Sequence, residues 1–457
     1  MFKKIELWIV GLIVLFFILL ILFVSGVLRD AYLGINKTPE FLRNNLVTIS
    51  EIPKNIYHVI HHLTGYDINT PPKLQKHKHK KKFEQFIKNE RNALLVLPRY
   101  EHSLSRSVID IVDLKNFEVI HTYKHNVNDM NDSVKNHKEF PKLKIDSSQI
   151  RFEYWHPLIL SDGSLISESD RKPLFKIDFC SNLLWINDEE IFHHSKELNH
   201  EGNIWVGGIK NPKSKFLKKF AINGLKDYWD DSVIEISPDG EILYNKSVTE
   251  ILIEGKILPE NFALNSINEN PQKNNDPIHL NDIEPAMNNS LYWNKGDIFL
   301  SIRNQSAIIH YRPVDNKIIN YIIGPFAQQH DIDIISDKEI SIFNNNNFFI
   351  NNEYSEVLIY NFETKTFKKL FNNQLKKENF KTFTQGLSHI FKDRSLLVEE
   401  QNHGRIILFN SKGKKEWEFV NKDKNGDIGY VSWSRVIEDE IFIKKFKSMV
   451  KNKQCLN

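Results

Sequence analysis

The sequence predicts an all-β fold: a six-bladed β-propeller behind an N-terminal transmembrane helix and a short, partly helical stalk. Three observations lead there. A hairpin pattern, two apolar runs joined by a polar turn, recurs six times between Ser107 and Phe419. A short apolar strand stands ahead of most of these hairpins, eight residues upstream in three of the units. No amphipathic helices alternate with the strands, as a parallel α/β sheet would require.

In chain order, the first element is an anchor over residues 1–29. Leu7 to Leu28 is a run of 22 residues without a charge, roughly 33 Å as a helix and long enough to cross a bilayer. It exceeds the apolar core of a secretory signal, and Val24-Ser25-Gly26 is a poor cleavage site, so the helix reads as uncleaved. Lys3 and Lys4 favour a cytoplasmic N-terminus, with Arg29 as a competing charge on the other flank. Residues 30–90 read as the stalk. Pro53 to Leu63 carries apolar residues at helical spacing. His58, His61 and His62 share a face there but lack a carboxylate or cysteine to complete a metal set. The run Gln75 to Lys82 (QKHKHKKK) reads as a solvated linker, with contact to anionic lipid as the lesser alternative.

The propeller takes residues 91–450. Its hairpins begin at Ser107, Pro173, Ser232, Ser306, Ser355 and Gly404, and the leading strands run through Leu165, Ile204, Ile298, Ile340 and Leu396. Strand, strand, hairpin is a four-stranded unit, and units of roughly 50–70 residues have the size of blades. In a closed ring each unit buries its faces against its neighbours.

Composition fits one large core, with 41% hydrophobic and 12% aromatic residues in 457. The net charge is +3, from 61 basic and 58 acidic residues, so there is no concentrated basic face for nucleic acid. Neither cysteine has metal-ligand spacing. Cys180 reads as a small core residue, and a disulfide with Cys455 is the less favoured alternative.

The innermost strand of each blade lines a propeller's channel, so the residues that open the blades carry information. Ten residues back from the leading-strand marker, Ile204 leads to His194, Ile340 to His330 and Leu396 to Gly386. The segment DPIHLNDIEP puts His279 and Asn281 in the same role. Any one of these histidines alone reads equally well as a satisfied buried residue. Three imidazoles brought to one axis, with Asn281 and Arg303 near, read as a site. They could hold a metal, but Arg303 suits a dication poorly. Imidazoles, an amide and a guanidinium fork suit an anion with several oxygens. The sequence contains no Gly-rich phosphate cradle, G-x-S-x-G elbow or H-E-x-x-H helix.

Four segments, FHHSKELNHEGNIWV, DPIHLNDIEP, FLSIRNQSAIIHY and GPFAQQHDIDII, resemble in order and spacing those of the bacterial arylsulfotransferases. That family moves a sulfuryl group between phenols without the nucleotide donor PAPS. The resemblance covers roughly Leu184 to Asn345 and continues more weakly through TFTQGLSHIF and the sixth blade. It implies a six-bladed propeller and a transiently sulfurylated histidine at His330. It implies that His279, Asn281 and Arg303 bind the sulfuryl oxygens. His194 matches the first-motif histidine, with His193 as the alternative on the substrate side, and Thr384 matches a further family threonine. No metal or cofactor is implied. The partners implied are an aryl sulfate donor and a phenolic acceptor. The location implied is a bacterial inner membrane with the catalytic domain in the periplasm. The chain departs from the family in carrying an anchor and stalk where secreted members have a β-sandwich and a cleaved signal. It also has Phe343-Asn344-Asn345-Asn346 where the family often has Phe-Asp-Asn-Gly, a loop expected to shape a different acceptor site. Two rival readings use the same scaffold: a membrane-tethered binding module without chemistry, and a sulfate-ester hydrolase with water as acceptor.

Overall fold

All six hairpins form antiparallel pairs. The computed structural model describes residues 6–32, 38–63, 72–140, 143, 148–214, 229–257, 276–347, 354–453 and 455. Lys3, Lys4 and the side chains of His58, His61 and His62 lie outside the described residues. The chain divides into two compact units. In the first, the described residues form two helices, Leu7–Tyr32 and Glu40–Leu63. Leu7–Ala31 is long and apolar enough to span a membrane.

The second unit is an all-β, propeller-like arrangement of antiparallel sheets in which sequence neighbours pair in order. One four-stranded sheet runs Leu280–Pro285, Ile298–Ile302, Ala307–Arg312, Lys317–Ile323, and the next runs His330–Ile334, Glu339–Asn344, Glu356–Asn361, Thr366–Leu370. The inner strands are buried because neighbouring sheets cover both faces: every residue of Ile298–Ile302 is buried. The outermost strand meets solvent, and Thr366–Leu370 has no buried residue. A third four-stranded sheet joins the two ends of the unit. Its innermost strand is Arg435–Ile437, followed by Leu94–Glu101, Arg106–Asp113 and Glu118–Tyr123. A seven-stranded sheet shares the long strand Leu183–Leu198, and a five-stranded sheet adds Phe83–Gln85 to the edge of Lys415–Val420.

Carboxylates stitch one sheet to the next. Asp231 Oδ2 accepts the Leu280 amide at 2.8 Å, Asp282 Oδ2 the Ile332 amide at 2.6 Å, and Asp331 Oδ2 the Ser388 amide at 2.8 Å. Glu399 takes the Trp433 and Ser434 amides at 2.7 and 2.9 Å. Each satisfies a backbone donor that the inner strand, lacking a further partner, would otherwise bury unpaired.

Two expectations are corrected here. Cys180 is disulfide-bonded to Cys455, with Cα atoms 5.3 Å apart. Cys180 sits in the turn after Lys172–Ile177, and the bond pins the chain after the C-terminal helix Glu440–Asn452 to it. The apolar neighbours that suggested a core residue, such as Phe179, pack instead against Phe446 of that helix. The basic run is also tied down rather than solvated. Lys76 Nζ lies 2.6 Å and His77 Nε2 2.9 Å from the buried carboxylate of Glu400, and Lys80 Nζ lies 2.7 Å from Glu418. Burial alone would push the Glu400 carboxyl up, but Arg405, His77 and Lys76 together hold it well below the usual carboxylate range.

Candidate active site

The strands that open the sheets begin with a change of backbone hand. His156 (φ 37°), His194 (φ 65°), His279 (φ 52°), Asp331 (φ 51°), Gly386 (φ 92°) and Trp433 (φ 62°) all have positive φ. Register shifts accompany four of them, between Trp155/Leu158, His193/Lys196, Leu280/Asp282 and His330/Ile332. A bulge re-aims the side chain at its position. For a residue with a Cβ the left-handed conformation costs about 1–2 kcal/mol, a strain typical of functional sites.

These bulges bring the histidines together. The His194 and His279 rings meet edge to face with centroids 5.0 Å apart. Trp433 lies beneath both His194 and His330, at 5.7 and 6.1 Å between centroids. The Arg303 amide donates to the His279 carbonyl at 3.0 Å, and the guanidinium reaches Asn304 Oδ1 at 2.7 Å and Gln328 Oε1 at 3.2 Å. Asn281, fully buried, donates through Nδ2 to the Gln329 carbonyl at 2.8 Å, while its Oδ1 has no partner among the described residues. His193 turns to Asp231, its Nε2 3.3 Å from Oδ1. Thr384 is exposed and exchanges hydrogen bonds with Asn402.

The tautomer of His330 follows from its partners. Asn345 uses its Nδ2 hydrogens on the carbonyls of Thr382 and Gln385, at 3.0 and 2.8 Å. Its Oδ1 therefore faces His330 Nδ1, at 2.5 Å, and can only accept. Nδ1 carries the proton, and Nε2 carries the lone pair, which accepts the Gln385 amide at 3.1 Å. Burial pushes the His330 imidazole well below its usual pKa, and the nearby Arg303 pushes the same way. Burial likewise holds His194 well below, with His193, His279 and His330 adding to it. Both rings are neutral near neutral pH. His279 is oriented by Asp276, whose Oδ2 takes Nδ1–H at 2.5 Å. Burial raises the Asp276 carboxyl, but His279 and Arg171 outweigh it and leave it below its ordinary value.

Several residues of this site are absent from the sequence reading. His156 opens its strand one residue beyond the ten-residue count from Leu165, and Trp433 precedes a strand, Arg435–Ile437, too short to carry a periodic signal. The Phe343-Asn344-Asn345-Asn346 loop lies behind His330. Asn346 takes a positive φ of 59° in the place of the family's glycine, which asparagine tolerates. Asp276 precedes His279 by one short turn, and that spacing was the available signal. Among the described residues, no group of three or more His, Cys, Asp or Glu has the geometry to hold a metal.

The family model for arylsulfotransferase (ASST) matches residues 156–422 of the chain. The chain belongs to the arylsulfotransferase family. The match begins at His156 and spans the positions of His194, His279, Arg303, His330 and Thr384. Trp433 and Arg435 lie beyond it. No curated protein matches the chain. Among solved structures, a protein of unknown function from Bacteroides caccae is similar at 11% identity and a TM-score of 0.45, over 76% of this chain and 100% of that one. Virginiamycin B lyase from Staphylococcus aureus is similar at 13% identity and a TM-score of 0.33, over 60% of this chain and 72% of that one. Neither reaches a similarity that bears on function.

Proposed function

We propose that this arylsulfotransferase transfers a sulfuryl group from an aryl sulfate to a phenolic or other hydroxyl acceptor in two steps, through a sulfohistidine at His330. The observation that carries the reading is the neutral His330 ring, with Nδ1–H held by Asn345 and the lone pair on Nε2. In the first step Nε2 attacks sulfur, the N–S bond forms, and the S–O bond breaks with its electron pair going to the aryl oxygen. The Gln385 amide that met Nε2 is then free to donate to a sulfuryl oxygen. Arg303 supplies further donors, and His279, whose Nδ1–H goes to Asp276, supplies one through Nε2–H when its ring holds both protons; each is worth about 10²–10³ in rate when aimed at developing charge. Asn281 holds the Gln329 carbonyl beside His330. Thr384, exposed beside Asn402, stands on the substrate side, whereas His193 turns away from it toward Asp231. An acceptor hydroxyl takes the group in the second step and returns the electron pair to Nε2. Neither step calls for a metal or cofactor.

The scaffold belongs to the same proposal. Leu183–Leu198 pairs with Lys172–Ile177 through one part and with Ile204–Ile209 through the other. Counted as the outer strand of one blade and the inner strand of the next, it divides the seven-stranded sheet into two blades and brings the total to six. The six left-handed openings support that count. Residues 1–29 form the anchor, 30–90 the connection, whose strand Phe83–Gln85 joins the edge of a propeller sheet, and 91–450 the propeller. The Cys180–Cys455 bond favours an oxidising compartment. That supports a propeller on the periplasmic side of a bacterial inner membrane, with Lys3 and Lys4 in the cytoplasm.

The test is to trap the intermediate. The protein is incubated with 4-nitrophenyl sulfate and no acceptor, quenched in alkali to preserve N-sulfo groups, and digested. The peptide containing His330 should gain the mass of one SO₃ group and lose it when a phenol is added before the quench. His330→Ala should neither label nor release nitrophenol. Release of nitrophenol without label and without need of a phenol would make the chain a hydrolase. Neither label nor release would favour the binding module.

A further inference from the structure

Behind His194 lies a line of groups that the two steps above leave unused. His194 Nδ1 meets His193 Nδ1 at 2.8 Å. The far nitrogen of His193, Nε2, stands 3.3 Å from Asp231 Oδ1. That contact is not an aligned hydrogen bond, and it is an ion pair when the His193 ring is protonated. Two facing Nδ1 atoms hold one proton between them, so one ring donates and the other accepts. Asp231 is fixed in place because its other oxygen accepts the Leu280 amide. The His193 ring lies flat against Gly207, where a Cβ would stand 3.1 Å from Cε1 and 3.2 Å from Nδ1. Glycine at 207 makes the room. Burial pushes His193 down, but Asp231 more than offsets it and leaves His193 above its usual value, with Arg171 opposing and Asp170 assisting. His194 is shifted the other way.

We propose that Asp231, His193 and His194 form a proton relay that serves both half-reactions, with His193 and Asp231 as positioning residues behind His194. The inference rests on the sulfuryl transfer proposed above. At rest His193 is an imidazolium facing Asp231, its Nδ1–H donates to His194 Nδ1, and His194 carries a proton on Nε2. As the donor's S–O bond breaks, the electron pair moves to the aryl oxygen and His194 Nε2 gives that oxygen its proton. His193 passes its Nδ1 proton to His194 Nδ1, and a neutral phenol leaves. In the second half the acceptor hydroxyl gives its proton to His194 Nε2 while its oxygen attacks sulfur. His194 returns the Nδ1 proton to His193, and His330 recovers its lone pair from the breaking N–S bond. Over the full cycle no proton is gained or lost.

Such a relay matters most for poor leaving groups. Phenol resembles a tyrosine side chain, with a pKa of about 10, whereas 4-nitrophenol is far more acidic and leaves without help. The full-length wild-type protein is assayed with a series of aryl sulfates of rising phenol pKa, and kcat/KM should depend only weakly on that pKa. In His193→Gln the dependence should become steep: phenyl sulfate turnover falls by about 10²-fold or more, while 4-nitrophenyl sulfate turnover is little changed. Asp231→Asn keeps an oxygen for the Leu280 amide and should show the same pattern. A steep dependence already in the wild type would overturn the relay, and needs no variant to fold. So would equal losses on both donors, or none, in the variants. If the wild type turned over none of the aryl sulfates, the sulfuryl-transfer reading itself would fail, a different outcome from loss of the relay.

Discussion

Asn345 controls His330 without being able to react itself. Its amide is committed to two carbonyls, so its oxygen must meet Nδ1, and the lone pair of the ring is confined to Nε2. Asn345→Ala frees the ring to take the other tautomer. Phenol release from 4-nitrophenyl sulfate should then fall between about 10²- and 10⁴-fold, the range seen when a catalytic imidazole loses its orienting partner. Unchanged release in a folded variant would remove Asn345 from the mechanism. Protonation does not explain such a loss, because the Asn345 hydrogen bond raises the His330 pKa and its removal lowers it further. His194 and His330 are legible in the sequence because the repeat interval is a one-dimensional property, and His279 because its segment DPIHLNDIEP opens a blade. Trp433 and Asp231 are not, because each meets its histidine across the fold, from a segment whose own pattern says nothing of that neighbour; Asn345 is legible only as part of a loop at the acceptor side, and its bond to His330 is not.

Hairpins and leading strands are local, set by apolar alternation and turn residues, and so they were readable from Ser107 to Phe419. The strand Arg435–Ile437 has three residues and forms only because Leu94–Glu101 offers it an edge. The same distance effect hid the Cys180–Cys455 bond, whose partners are 275 residues apart. A link that closes so long a loop restricts the unfolded chain by about 5–6 kcal/mol in chain-entropy terms. Cys455→Ser should lower the urea midpoint accordingly, and wild type treated with dithiothreitol should unfold at the variant's midpoint. Identical midpoints with and without reductant would show that the C-terminal helix is held by its packing alone.

The whole molecule carries a group of acids along its inner strands. Burial raises Asp282 to about 7 and Asp333 to about 6, and it raises Glu284 and Asp331 well above their ordinary values, with the neighbouring carboxylates adding to the effect. A carboxyl whose folded pKa lies above its unfolded value binds more protons when folded. Its contribution is full below the unfolded pKa of about 4 and is lost as pH rises through the folded value. Glu284→Gln should therefore raise the melting temperature by a few degrees at pH 8, on the order expected for relief of one or two kcal/mol. At pH 4 it should change little. The opposite order would mean that Glu284 is ionised and satisfied in the fold.

The sheet that joins both ends of the propeller unit has a consequence in time. Leu94–Glu101 leaves the ribosome early and then waits, because the inner edge it must pair with is encoded at Arg435–Ile437. Trp433, beneath His194 and His330, arrives with that strand. Cys180 likewise waits for Cys455. A nascent chain that already displays all three histidines therefore still lacks the floor on which they rest. A message truncated after Val431 yields a protein with every residue of the four sequence motifs and no assembled site.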